Sequence, residues 1–423
     1  MYEKRIIDKT LKEYFQELPV ILVEGAKAVG KTETCSQLAK TIFTLDNEAT
    51  RQLLVADPEQ ILRSEKPLLL DEWHLAPELW SFARHLVDKG LDPESILFTG
   101  SSIKVNSRIH SGAGRIIRMT LRPYSIEERR ISDKYIGVSD LFQLNRGENV
   151  SGTIEKSLAD YLDEIFKSGF PGIRNKKGKI RRLFLDSYVN NIIEHEFSEN
   201  GFIIKQPEKL LAWMKAYAVS IGTTTNFQTI IDVAMANNSQ APSRPTANNY
   251  REALSVLYII DEVPPFLAIG KLYPNLAKSP KHFMLDPAIA LSLLKVSREQ
   301  IENYKVPKHI GKFNQTLIGL LLESLVYQSL IVYADANEAD LYHFRNSRGT
   351  REIDFILQKN SNWILFEVKA APDAKDSYVE HLNWFEDIAK NEVDIVKVLL
   401  NTGNFVYTRK DRVHVIPVGI LGV

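Results

Sequence analysis

One stretch restricts the fold more than any other: Gly25-Ala26-Lys27-Ala28-Val29-Gly30-Lys31-Thr32, directly after the apolar run Pro19 to Glu24 (PVILVE). Its spacing is G-x-x-x-x-G-K-[ST]. The two glycines let backbone N–H groups turn inward around phosphates, Lys31 adds charge at the β/γ oxygens, and Thr32 offers a hydroxyl to Mg2+. The geometry works when a strand feeds the loop and a helix leaves it, because the helix then points its positive N-terminal end at the same phosphates. Gly25, Ala26, Lys27, Ala28, Val29, Gly30, Lys31 and Thr32 are therefore the candidate cofactor-binding residues, and the chain around them is expected to be α/β.

The next segments agree with that expectation. Pro67 to Leu70 (PLLL) and Ile96 to Thr99 (ILFT) are short continuous apolar runs, suited to strands buried on both faces of a parallel sheet. Helical patterns at Thr32 to Ile42 and Leu79 to Lys89 lie between them, which argues for an α/β domain over residues 1–135. The run Leu68-Leu69-Leu70 ends in Asp71-Glu72, placing Asp71 beside the magnesium ion and Glu72 where it can polarise an attacking water. A third strand ends in Thr99-Gly100-Ser101-Ser102, so Ser101 can supply a hydroxyl near the γ-phosphate. Gly112-Ala113-Gly114-Arg115 offers Arg115 to transition-state charge, from its own subunit or from a neighbour in a homo-oligomer. A polar strand end and a surface loop are the plain alternatives for Ser101 and Arg115.

Composition bounds the rest. At roughly 150 residues per domain, a chain of 423 residues holds two to four. Lysine plus arginine number 53 and aspartate plus glutamate 53, so no global field draws the chain to a polyanion, and nucleic acid would have to meet a local patch. Cys35 is the single cysteine; it reads as a small packed helix residue in a reducing, cytoplasmic setting. The N-terminus is charged from its third residue, so no secretory signal is expected. The apolar stretch Ile318 to Leu322 ends at Glu323, so neither a membrane span nor a membrane partner is expected.

Residues 18–130 resemble a family of prokaryotic AAA-type ATPases in their phosphate loop, the LLLDEWH acidic strand, the LFTGSS strand end and the GAGR loop ahead of Leu121-Arg122-Pro123-Tyr124-Ser125. The carboxyl half resembles the domain of unknown function that accompanies this ATPase, through Lys281-His282-Phe283-Met284-Leu285-Asp286, Glu352-Ile353-Asp354-Phe355 and Phe366-Glu367-Val368-Lys369. The resemblance implies ATP binding and hydrolysis, and Thr32 and Asp71 make Mg2+ the expected cofactor beside ATP.

Residues 136–205 read as a polar helical linker or lid carrying the basic run Arg174, Lys176, Lys177, Lys179, Arg181 and Arg182, either a solvated face or a phosphate contact. Within 206–300, a short helix at Asn226 to Ala234, a polar turn (Asn237 to Pro242) and a helix at Thr246 to Tyr258 suggest a winged-helix-like segment, with Leu254, Leu257 and Tyr258 inward and Arg251 outside. A helical connector without a ligand fits the same pattern. The resembling family is likewise helix-turn-helix-like there, which makes DNA a candidate partner.

In residues 301–423, a long helix (Gln315 to Val332) precedes strand-like runs at Ile353 to Leu357, Trp363 to Val368 and Val393 to Leu400. Glu367 and Lys369 are two apart and share a strand face. With Asp354 alongside and Glu323 from the helix, the carboxylates are candidate metal ligands and Lys369 the candidate catalytic residue of metal-assisted phosphodiester hydrolysis. The set looks like the restriction-endonuclease core, D…(D/E)-x-K. Two alternatives stand beside it: a charge pair on a wet sheet face, or an endonuclease-like fold that only grips a partner.

Overall fold

The structure, a computed structural model of the chain, describes residues 2–100, 114–145, 147–199, 201–202, 204, 206–236, 242–266, 279–302, 314–346, 348–389 and 393–423. The amino-terminal strands are β1 (Val20–Glu24), β2 (Thr41–Thr44), β3 (Leu68–Asp71), β4 (Ile96–Gly100) and β5 (Ile117–Thr120). They form a wholly parallel sheet in the order β2-β3-β4-β1-β5. Because side chains alternate across a strand, Val20, Leu22, Leu68, Leu70, Ile96 and Phe98 pack on one face with Leu79, Trp80, Ala83 and Leu86 of the helix Pro77–Asp88. Ile21, Val23, Leu69 and Leu97 pack on the other face with Leu11 and Phe15 of the helix Ile7–Phe15. Each fully buried aliphatic side chain here contributes about 1.5–3 kcal/mol, which explains why these strands are apolar without interruption.

The helical pattern at Thr32 to Ile42 is only half right. The helix covers Lys31–Ser36, and Thr41–Thr44 forms the edge strand β2. Its β-branched residues alternate between half-buried and exposed, a period-two signal too short to stand out beside the helix. Strand β5 also lay outside the sequence expectation; Arg118 and the partly exposed Ile117 and Met119 give it no apolar run.

A second sheet of seven strands occupies the carboxyl end. Asp340–Arg345, Glu352–Lys359 and Asn362–Val368 run antiparallel in succession, and Asp394–Asn401 then lies parallel to Asn362–Val368. One face carries the helix Asp376–Ala389 through Val379, Leu382 and Phe385. The other carries the helix Asn314–Ala336, whose Leu321, Leu325 and Val326 join Phe355, Ile364 and Phe366. Residues before the helices are woven into this end: Gly152–Thr153 extends the sheet beside Phe405–Thr408, and Ile136–Gly137 pairs with Leu421–Gly422.

The helix Asn314–Ala336 overturns the expectation that no segment approaches a membrane span. Its stretch Leu317–Ala336 is long and apolar enough by length and composition alone. Most of it is buried inside the fold, because both its sheet side and its helix side are covered, so it is apolar all round as a core helix must be.

Between the two sheets, the helices Pro207–Val219, Phe227–Ala236 and Arg244–Val256 lead into an antiparallel pair, Ile260–Val263 with Lys281–Met284. The turn segment Asn237 to Ala241 lies outside the described residues. Leu254 and Leu257 are buried as expected. Arg251 lies outside as expected, its side chain 39% exposed, but it is engaged there: it forms an ion pair with Glu262, and its guanidinium lies 3.9 Å from the Phe227 ring centroid.

His343, fully buried on the strand Asp340–Arg345, donates from Nε2 to the Ser279 carbonyl at 3.1 Å. Burial, reinforced by the Lys281 charge, lowers its pKa to about 3. The folded chain therefore holds it neutral, whereas the unfolded chain protonates it below about pH 6.5. Its contribution is complete above pH 6.5 and is lost as pH falls toward 3. Between pH 7 and 4 that loss amounts to roughly 3 kcal/mol at about 1.4 kcal/mol per pH unit. Urea denaturation should therefore show a flatter acid limb for His343→Gln than for the wild type; parallel limbs would refute this.

Candidate nucleotide site and the carboxylate cluster

The carboxyl ends of β1, β3 and β4 converge on one point. The Thr32 hydroxyl lies 3.0 and 3.1 Å from the two Asp71 carboxylate oxygens, and the Thr99 hydroxyl donates to Asp71 Oδ1. Lys31 Nζ turns back on its own loop and donates to the carbonyls of Gly25 (3.1 Å) and Ala26 (3.0 Å). Burial lowers the Lys31 pKa, opposed by the nearby charges of Glu72, Asp71 and Glu196. Incoming phosphate oxygens would draw this ammonium off the carbonyls. The hydroxyl and carboxylate pair of Thr32 and Asp71 suits Mg2+, whose hard oxygen-ligand preference they match; bound there with nucleotide, it would offset phosphate charge.

Close packing shapes the loop. Gly25 holds φ +145°, and a β-carbon there would sit 2.2 Å from the Leu121 carbonyl oxygen. Gly100, at the end of β4, leaves room for the Trp73 ring, which a β-carbon would meet at 2.9 Å. Glu72 occupies the left-handed region at φ 55°, a turn that lifts its side chain off the strand axis to within 3.3 Å of His74 Nδ1. Burial pushes its carboxyl above the usual range.

Several residues of the site carried no motif. Arg5, 123 residues from Glu128, bonds it at 2.9 Å and donates to the Val29 carbonyl inside the phosphate loop at 3.1 Å. The Tyr188 hydroxyl, on the helix Gly178–Asn191, donates to the Lys27 carbonyl at 3.3 Å. No local pattern announces contacts of such sequence separation. Glu128 was legible, since Ser125 and Glu128 bond each other's backbone N–H in the S-x-x-E box.

Arg115 does not reach this point from its own chain. It lies two residues before β5, at the amino-terminal edge of the parallel sheet, and pairs with Asp88 at 2.5 Å. The phosphate loop leaves the opposite edge, a full strand length away. Ser101, with Ser102, Gly112 and Ala113, lies outside the described residues. The basic run is partly used within the fold, since Arg174 pairs with Glu164 at 2.7 Å and Arg181 donates to the Lys176 carbonyl at 2.6 Å.

At the carboxyl end, Glu323, Asp354, Glu367 and Lys369 do come together, but not around a metal position. Lys281 Nζ sits among the carboxylates, 2.6 Å from Glu323, 2.9 Å from Asp354 and 3.3 Å from Glu352. Lys369 pairs with Glu367 instead of facing an open site. Burial pushes the Glu323 and Glu367 carboxyls up to about 8. Among the described residues no group of three His, Cys, Asp or Glu is placed to hold a metal ion. The expectation of a metal bound by Glu323, Asp354 and Glu367 is therefore not met in this arrangement: an ammonium from the strand Lys281–Met284 fills the centre. The sequence hint was a lysine opening an otherwise apolar strand.

A parallel α/β sheet with a G-x-x-x-x-G-K-T loop facing an acidic strand end defines a nucleotide-binding P-loop domain. Residues 17–129 match the AAA domain family. Residues 158–300 match a domain of unknown function (DUF8612), and residues 318–421 another (DUF4143). Among solved structures, a Walker-type ATPase of Pyrococcus abyssi is similar at 13% identity and TM-score 0.42, over 69% of this chain and 96% of that one. A Signal Transduction ATPase with Numerous Domains (STAND) protein with a tetratricopeptide repeat sensor, from Pyrococcus horikoshii, is similar at 10% identity and TM-score 0.26, over 79% of this chain and 52% of that one. The chain thus spans about half the length of the second protein. No curated protein matches.

Proposed function

We propose that the protein hydrolyses ATP and uses nucleotide state as a switch on a carboxyl-terminal domain that grips a partner without cutting it. The observation that carries hydrolysis is the meeting of Lys31, Thr32, Asp71 and Glu72 at one sheet edge. Lys31 and Thr32 bind phosphates, Asp71 supports the ion, and Glu72 orients the attacking water. Tyr188 and Arg5 grip the loop's carbonyls, so a loop that closes on phosphates moves the helix Gly178–Asn191 and the N-terminal segment with it.

The carboxyl-terminal order of helix, three antiparallel strands, helix and parallel strand supports an endonuclease-like fold. The lysine at its carboxylate centre supports gripping over cleavage. Three helices followed by a two-stranded pair support a winged-helix-like segment, with DNA as the candidate partner. The test is incubation with linear, circular and single-stranded DNA in Mg2+, with and without ATP. Binding without cleavage supports the switch; cleavage lost in Lys369→Ala would replace it with an ATP-regulated nuclease.

Arg115, placed away from its own phosphate loop, serves this reading as a residue offered to a neighbouring copy. Turnover per chain should then rise with protein concentration, and Arg115→Ala should lower it on the order of 10-fold or more. Concentration-independent turnover, unchanged in Arg115→Ala, would exclude that role.

A further inference from the structure

The root of the phosphate loop is held from outside its own domain. Glu24, the last residue of β1, is 8% exposed and immediately precedes Gly25. The Tyr258 hydroxyl donates to the Glu24 carboxylate and accepts from the hydroxyl of Thr120, the last residue of β5. Tyr258 lies two residues past the helix Arg244–Val256 and turns back at φ 57°. A bulky residue keeps that left-handed backbone only where its surroundings hold it. Two residues after Thr120, the Arg122 guanidinium donates to the Asp261 carboxylate at 2.6 and 3.4 Å, both side chains 13% exposed. The Asp261 carbonyl accepts in turn from the Tyr217 hydroxyl at 3.1 Å.

Both contacts lead into the loop. The Leu121 N–H, between Thr120 and Arg122, donates to the Glu24 carbonyl at 2.8 Å, and the Leu121 carbonyl closes on Gly25. Arg5 donates to the Arg122 carbonyl at 2.6 Å and to the Val29 carbonyl at 3.1 Å. A shift of Arg122 therefore displaces a residue that also holds the middle of the loop. Glu24, Thr120 and Arg122 lie in the segment that matches the AAA domain, whereas Tyr258 and Asp261 lie in the segment of residues 158–300. The Arg122–Asp261 pair joins positions 139 residues apart and is largely shielded from salt. Neither half can withdraw without leaving the other charge unpaired and mostly buried.

We propose that Tyr258 and Asp261 are positioning residues of the nucleotide site, supplied by the middle segment, which tie nucleotide binding and the placement of that segment into one equilibrium. That assignment rests on the nucleotide site proposed above and deepens it by naming what regulates it, whatever the partner. Neither residue enters the phosphate cradle. They fix Glu24 and Arg122, which fix the ends of β1 and β5 where the loop begins and packs. Linkage runs both ways: whatever the middle segment binds changes nucleotide affinity by the factor by which nucleotide changes its own.

The test uses the full-length protein with Mg2+ and the fluorescent nucleotide mant-ADP. Tyr258→Phe removes one hydroxyl and Asp261→Asn one charge. Each should weaken mant-ADP binding about 5-fold or more, with a matching rise in KM for ATP and little change in kcat. Asp261→Glu, which keeps the charge, should recover most of the affinity. A purely structural role would lower the melting temperature and leave the affinity of the folded protein unchanged. Hydrogen exchange needs no variant: ADP should slow it in the wild type at Ile260–Val263 and at the end of the helix Arg244–Val256, as well as in the loop. Exchange slowed in the loop alone, or folded variants that bind mant-ADP as the wild type does, would overturn the proposal. A wild type that binds no nucleotide defeats the nucleotide site itself, and this assignment falls with it.

Discussion

Glu72→Gln should bind ATP and fail to turn it over, with kcat reduced on the order of 10²–10³-fold, while Lys31→Ala should lose binding itself. The difference follows from where the two side chains stand. Lys31 Nζ is bonded to the loop carbonyls of Gly25 and Ala26, on the path of the phosphates, and supplies the charge that holds them. Glu72 is one residue beyond Asp71, turned off the strand at φ 55° beside His74, close enough for its charge to act on Lys31 without bonding the loop carbonyls. Fluorescent-nucleotide titration and phosphate release on the two variants separate the roles; turnover at the wild-type rate in both would remove the hydrolysis proposal. The pH profile offers a second check. Burial raises the Glu72 pKa, and only the ionised carboxylate accepts a proton from water. Activity should therefore fall on the acid side at a pH above the ordinary glutamate value of about 4.3, and the residual activity of Glu72→Gln should lack that limb.

The largest stability effect is expected at Asp286, the last residue of the Lys281-to-Asp286 stretch. Fully buried, its Oδ2 accepts from the Gly169 N–H at 2.6 Å, the Gln328 amide at 3.0 Å and the Ser168 hydroxyl at 3.1 Å. Its Oδ1 caps the helix Pro287–Leu294 through the Ala288 N–H at 2.8 Å. Arg129 stands next in the network, bonded to the carbonyls of Tyr124 and Glu164 and to the Gln328 side chain. Asp286→Ala leaves several buried donors without an acceptor and removes the negative charge nearest a fully enclosed guanidinium. It should cost roughly 3–5 kcal/mol, the range for breaking one side of a buried charged network. Equilibrium urea denaturation measures this; a loss below about 1 kcal/mol would mean that water or a rearranged Gln328 takes over those bonds. Asp286→Asn, which keeps one acceptor oxygen, should cost less.

Part of the molecule is legible in its residues alone. The G-x-x-x-x-G-K-T loop requires a strand before it and a helix after it, so β1 and the helix Lys31–Ser36 follow from the motif. The apolar runs mark β3 and β4 because both faces of a parallel sheet are covered. Asp71 and Glu72 are legible for the same reason, being the polar end of such a run. The strands Glu352–Lys359, Asn362–Val368 and Asp394–Asn401 also fall on their runs. Edge strand β2 and the half-exposed β5 do not, since neither builds a continuous apolar signal.

Local pattern determined the phosphate loop, the buried strands and the acidic strand end, because backbone geometry and burial act over a few residues. Tertiary structure alone decided what happens at longer range. It put Arg115 at the wrong edge to serve its own chain, since strand direction in a parallel sheet separates residues before a strand from loops after one. It brought Arg5 and Tyr188 to the phosphate loop across most of a domain. Above all it set Lys281 into the carboxylate cluster that spacing had suggested for a metal. An acid pair with a lysine two residues on describes one strand face; which cation lies against that face depends on a segment more than 70 residues away in sequence, and the strongest attraction available in a buried, low-dielectric site selects it.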